Sequence, residues 1–190
     1  MTTGQLKEIE DYSKKIISSK NIPQHTWGHI IRVRKNALKI VKILNLKNMD
    51  LNILEAACIL HDVPVIIAKH SWLAGHFLER QSIKLYLPVL LTKLGVSEIE
   101  KKILFNAIYN HPFSIPYRHL NKNKDIFTQV LQDADSLDYF SKEREMEFRS
   151  SNNMTYLYRL VIRFSKRYFL FGRKHIHLFL NFPNTSRLVA

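Results

Sequence analysis

A single cysteine, Cys58, stands among the 190 residues. One thiol excludes an intramolecular disulfide framework and fits a reducing compartment. Long apolar runs are missing too. Each is short or broken by Lys, Arg or His, and none reaches the roughly 18 to 20 residues that a membrane span needs. The opening stretch, MTTGQLKEIEDYSKK, is polar and mixed in charge and carries no signal-peptide pattern, so a cytoplasmic protein without a transmembrane segment is expected. Acidic residues are absent after Glu147, whereas Arg149, Arg159, Arg163, Lys166, Arg167, Arg173, Lys174 and Arg187 follow it. The resulting net charge of +13 favours polyanionic partners and says nothing about chemistry.

What is present is ordinary for a globular domain, with 46% hydrophobic and 24% charged residues. Glycine is scarce, at 5 residues, and the periodicity is helical almost throughout. Ile30, Val33, Ala37, Ile40, Val41 and Leu44 follow the i, i+3, i+4, i+7 rhythm of an amphipathic helix, and Asn21-Ile22-Pro23 marks its approach. Asp50 is the expected N-cap of a second helix running through Leu54, Ala57 and Cys58 to His61, with Pro64 limiting it. A third begins near His70 and places Leu73, Ala74, Phe77 and Leu78 on one face. Ser97 and Glu100 form a capping box ahead of Ile103, Leu104, Ala107 and Ile108. A loop from His111 to Asp125 leads to a helix with Phe127, Val130, Leu131, Ala134 and Leu137. A basic aromatic helix is expected over 155–171, with Leu157, Leu160, Val161, Phe164, Tyr168 and Phe171 inward and Gly172 as its stop. The chain reads as one all-α domain over 1–190.

Chemistry gathers at few places. His61-Asp62 ends an apolar helix, where adjacent side chains about 100° apart can flank one ligand only if the backbone relaxes. A metal ion is such a ligand, and imidazole with carboxylate suits Mn²⁺, Fe²⁺, Zn²⁺ or Mg²⁺. His29 borders the buried stripe of its own helix. Asp133, Asp135 and Asp138 are interleaved with Leu131, Ala134 and Leu137, which point inward, and buried carboxylates are costly without a cation or donors.

The run His25-Thr26-Trp27-Gly28-His29, then Glu55 to His61-Asp62, then Asn106 to His111, then Asp133-Ala134-Asp135-Ser136-Leu137-Asp138 resembles the HD superfamily of phosphohydrolases, in particular small stand-alone bacterial members. The resemblance covers about residues 20–140 and leaves a basic aromatic segment over about 150–190. It implies an HD-domain helical bundle with a metal site in its core cleft. The implied metal ligands are His29, His61, Asp62 and Asp135, with Asp133 as runner-up to Asp135. His70 and His111 are implied as catalytic or second-metal histidines, and His25 as a hydrogen-bonding neighbour of the site. Arg32 and Lys69 could meet substrate phosphate, with Asp138 and Tyr139 close to the substrate. The expected cofactor is a divalent ion (Mn²⁺, Mg²⁺, Fe²⁺, Co²⁺ or Ni²⁺), and the expected reaction is hydrolysis of a nucleotide or other small phosphorylated metabolite by metal-bound water. Many relatives continue His-Asp-Ile-Gly-Lys, whereas here Val63-Pro64-Val65 follows. A nucleic-acid-binding or regulatory protein that uses the basic C-terminal face is the alternative, and a homodimer is among the expected assemblies.

Overall fold

In the computed structural model the described residues are 1–20, 25–69, 72–112, 124–150 and 166–188; for 72–76, 148 and 150 the description extends to the backbone alone. Among the described residues the helices run in chain order: α1 (Thr3–Lys20), α2 (Trp27–Leu44), α3 (Leu51–Leu60), α4 (Val63–Ala68), α5 (Trp72–Lys93), α6 (Glu98–Asn110), α7 (Ile126–Tyr139) and α8 (Lys142–Ser150). A helical segment over 166–174 and two 3-10 turns, Ile176–Phe179 and Pro183–Leu188, follow. No strand occurs among the described residues, as the helical periodicity predicts.

Local chemistry places the helix ends. Asp50 caps α3 by accepting from the Ile53 N–H at 3.1 Å. Ser97 and Glu100 make the reciprocal capping box of α6. Thr26 caps α2 through its hydroxyl, which accepts from the His29 N–H at 3.1 Å. Pro23, read as the approach to that helix, lies outside the described residues. Pro64 does more than limit α3. It sits in the first turn of α4, where its missing N–H costs nothing, so the chain breaks at His61-Asp62 and resumes as helix. This break divides Leu51–Ala68, an 18-residue stretch with a mean hydropathy of 1.7 that is apolar enough to cross a bilayer. The expectation that no stretch reaches that length is corrected here; 72% of the stretch lies buried inside the fold.

The polar opening segment hid α1, which turns only Leu6, Ile9, Ser13 and Ile17 into the core and packs on α3 and α4. The core runs on through Ile30, Val33, Ile40, Leu54, Ile59, Leu104, Ile108, Val130 and Leu137. Helix α2 packs along α7 and α3, and α6 bridges α3 and α7, so the ends that carry histidine and aspartate converge.

Two expectations about side-chain faces fail. On α5, Phe77 is 58% exposed, and the face turned to the core is carried by Ile83, Leu87 and Leu91 instead. In the C-terminal segment Tyr168 and Phe171 are exposed, whereas Phe169 is buried. The helix also continues past Gly172 to residue 174. Gly172 is needed for a close approach: a Cβ there would lie 2.1 Å from two ring carbons of Phe140. Residues 157, 160, 161 and 164 lie outside the described residues. The tail is then tied down by Asp133, whose carboxylate accepts from the Asn181 backbone N–H at 2.7 Å, the Asn181 side chain at 2.8 Å and the Phe182 N–H at 2.8 Å.

Candidate metal centre

The ends of α2, α3, α4 and α6 and one face of α7 deliver the polar cluster. Thr26 holds His29 in the first turn of α2. His61 caps the C-terminus of α3 and Asp62 precedes α4. His111 caps the C-terminus of α6. Asp135 and Asp138 stand one turn apart on α7. His29, His61, Asp62, His111 and Asp138 are all buried, and water is largely excluded from their neighbourhood.

Each histidine is oriented through its Nδ1. His29 Nδ1 lies 2.6 Å from Asp138 Oδ2, His61 Nδ1 lies 2.7 Å from the Cys58 carbonyl, and His111 Nδ1 lies 2.5 Å from the Ile108 carbonyl. These partners accept and cannot donate, because Asp138 is held below the ordinary carboxylate range. Burial opposes that ionisation, but the hydrogen bonds from His29 and Arg32 and the charges of His29 and Arg144 prevail. The hydrogen in each neutral ring therefore sits on Nδ1, which leaves the Nε2 lone pair for the cluster.

The lone pairs converge. His29 Nε2 is 3.1 Å from His61 Nε2. Asp62 Oδ2 is 3.3 Å from His29 Nε2 and 3.4 Å from His61 Nε2, and Asp135 Oδ1 is 3.5 Å from His29 Nε2. Two lone pairs facing each other at such a distance repel unless a positive charge lies between them. Asp62 Oδ2 is fully buried and accepts no hydrogen bond; His25 Nδ1 is 2.7 Å away but misaligned for one. The groups His29–His61–Asp62 and His61–His111–Asp135 each keep their ligand atoms within 4.8 Å of one another. An orphaned carboxylate oxygen amid imidazole lone pairs, with no thiolate, fits a divalent cation.

The electrostatics agree. Burial by itself would raise the pKa of Asp62, yet His25, His61 and His29 outweigh it and hold the group well below the ordinary range. For His29, burial and Arg144 oppose protonation, but the hydrogen bond to Asp138 and the negative charge of Asp62 win and lift its pKa to about 9. A proton on Nε2 thus occupies the position a cation would take. His111 goes the other way, to about 4, because burial and His61 both disfavour its charge.

The remaining sequence-predicted residues are placed as follows. Asp133 faces away and holds Asn181 and Phe182, whereas Asp135 faces His29. Arg32 has its Nε on Asp138 at 2.5 Å and grips Glu147 with both terminal nitrogens at 2.8 and 2.9 Å. Its guanidinium supports the Asp138–His29 pair. Tyr139 stacks on Phe169 with centroids 5.6 Å apart. Lys69 ends α4 in the left-handed region, with φ 55°, and is exposed. His70 lies outside the described residues. Sequence reasoning missed Glu79 on α5, whose Oε1 lies 3.6 Å from His111 Nε2. Burial, together with Asp62 and Asp135, pushes its carboxyl well above the usual range. It missed Glu147 as well. Neither residue belongs to the motif, and neither had a periodic signal to mark it.

A family model for the HD domain matches residues 26–139. The chain belongs to the HD-domain family. Among solved structures it is similar in fold to the following two. A protein of Lactobacillus plantarum shares 24% identity at a TM-score of 0.59, over 78% of this chain and 63% of that one. A predicted HD superfamily hydrolase from an uncultured Thermotogales bacterium shares 21% identity at a TM-score of 0.56, over 87% of this chain and 91% of that one. This chain thus spans less than two thirds of the Lactobacillus plantarum structure. No curated protein matches it. The matched segment of this HD-domain protein opens at Thr26, the cap of α2, and closes at Tyr139, the end of α7.

Proposed function

We propose that this HD-domain protein is a metal-dependent phosphohydrolase acting on a nucleotide or another small phosphorylated metabolite. The carrying observation is the convergence of His29 and His61 Nε2 on the buried, hydrogen-bond-free Oδ2 of Asp62. His29, His61, Asp62 and Asp135 would hold the cation. Bound there, a divalent cation would lower the pKa of a water it coordinates toward about 7 and neutralise charge on phosphoryl oxygens.

The chain's own residues do the rest. Asp138, steadied by Arg32, keeps His29 in the ligating tautomer. Burial keeps the site dry and its charges strong. His111 presents a neutral Nε2 lone pair, either to a second cation or to a proton of the attacking water as that water adds to phosphorus and the ester P–O bond breaks. His70 keeps its expected role as a second such histidine, and Lys69, exposed at the end of α4, is a phosphate contact.

Metal analysis of the purified protein, with a phosphatase panel run in Mn²⁺, Mg²⁺, Co²⁺ and Ni²⁺, tests this reading. Asp62→Ala is expected to abolish both bound metal and turnover. A wild-type protein that binds no divalent ion and hydrolyses no phosphoester would sink it.

A second reading draws on the exposed Tyr168 and Phe171 beside the exposed Lys166 and Arg167. Aromatics among cations stack bases and track phosphates, so this face suits single-stranded nucleic acid. Affinity for an oligonucleotide should fall steeply as salt rises; weak binding indifferent to salt excludes it.

A further inference from the structure

Glu79 belongs to no motif, yet the fold brings its carboxyl to the cluster. Its side chain is 17% exposed, and Oε1 lies 3.6 Å from His111 Nε2. Among the described residues no N–H or O–H group donates to it. The neighbouring Arg80 directs Nε to the Tyr109 carbonyl at 3.3 Å and Nη2 to Asn110 Oδ1 at 3.2 Å, with its guanidinium 4.3 Å from the Tyr109 ring centroid. A carboxyl buried near two other carboxylates without a donor is expensive. A cation relieves that cost.

We propose that Glu79 is a further cation-binding carboxylate of the metal centre, entering from α5 on the His111 side. This rests on the metal-dependent reading above. The nitrogen it faces is informative. A carboxylate that merely orients a ligating histidine bonds the ring nitrogen away from the ion, as Asp138 does on Nδ1 of His29. In His111 that position is taken by the Ile108 carbonyl, and Glu79 stands instead at Nε2, the ligating side. Two donors each about 2.1 Å from one ion, at octahedral to tetrahedral angles, lie about 3.0 to 3.5 Å apart, close to the 3.6 Å seen here. His111, His61 and Asp135 form one of the two candidate groups; Glu79 is not among those grouped donors and adjoins them through His111.

The test is a Mn²⁺ titration of the full chain, with free Mn²⁺ followed by electron paramagnetic resonance. Glu79→Gln keeps the volume and removes the charge, and Mn²⁺ should bind it at least about tenfold more weakly than wild type. Glu98→Gln, on the exposed start of α6, should bind as wild type does. Melting in chelator reads folding separately, and Glu79→Gln should melt no lower than wild type. If Glu79→Gln does not fold, Glu79→Asp withdraws the charge by one methylene and should weaken binding in the same direction. A folded Glu79→Gln with wild-type affinity and stoichiometry overturns the proposal and leaves the metal centre standing. A wild type that takes up no ion overturns both, a different and recognisable result.

Discussion

Asp138 Oδ2 lies 2.6 Å from His29 Nδ1, joining α7 to α2 through a buried carboxylate–imidazole pair. Arg32, one turn along α2, closes the pair from the other side by donating to Asp138 Oδ1 at 2.5 Å. Asp138→Ala should therefore lower divalent-metal affinity by about 10- to 100-fold, the usual loss when an orienting partner is removed. Calorimetric titration with Mn²⁺ measures it. Asp138→Asn, whose amide oxygen still accepts from Nδ1–H, should recover part of the loss.

The proton on His29 predicts how the metal-free protein responds to pH. Its folded pKa of about 9 lies above the unfolded value near 6.5. The folded state holds the extra proton, so the stabilisation is complete below about pH 6.5 and is lost as pH rises through about 9. Thermal melts in chelator should fall across that window. With saturating metal in place of the proton the fall should shrink, and a chelated protein with a flat profile would contradict this.

Asp133 and Asp135 separate by experiment. Asp133→Ala strands the backbone N–H groups of Asn181 and Phe182, which should cost about 2 to 4 kcal/mol of stability, with metal affinity changed only slightly. Asp135→Ala should do the reverse, with a strong loss of metal and a small shift in melting temperature. Both numbers come from one melt and one titration per variant.

Gly172→Ala forces a methyl to within 2.1 Å of the Phe140 ring. Phe140 is fully buried and packed against Phe179 at a 4.7 Å centroid distance, so it has little room to yield. A loss of about 1 to 3 kcal/mol is expected from overpacking, read as a lower melting temperature. An unchanged melt would show that the 166–174 segment is not packed on α7.

Periodicity revealed α2, α3, α6 and α7, because each buries a continuous stripe. It failed for α1, where four inward residues are diluted among polar ones. It failed again on the C-terminal segment, where apolar residues recur on more than one face and composition does not choose between Phe169 and its neighbours. His29, His61, Asp62, His111 and Asp138 were legible as a spaced pattern, since each sits at a helix end or on an inward stripe. Glu79 and Glu147 were not, because a lone glutamate on a helix reads as a solvated charge until a partner is seen.

The sequence by itself determined an all-helical HD domain and the residue types able to hold a cation, since helical period and motif spacing are local quantities. The tertiary structure alone decided which aspartate faces the histidines and which ties down the tail, and that Arg32 is bound up with Asp138 and Glu147. Only the packed helices decided which carboxylates share one small volume, because contacts between α2, α5, α6 and α7 join residues far apart in the chain. There it becomes visible that, among the described residues, no donor is aligned on Asp62 Oδ2 or reaches Glu79, and a missing partner has no signature in a linear sequence.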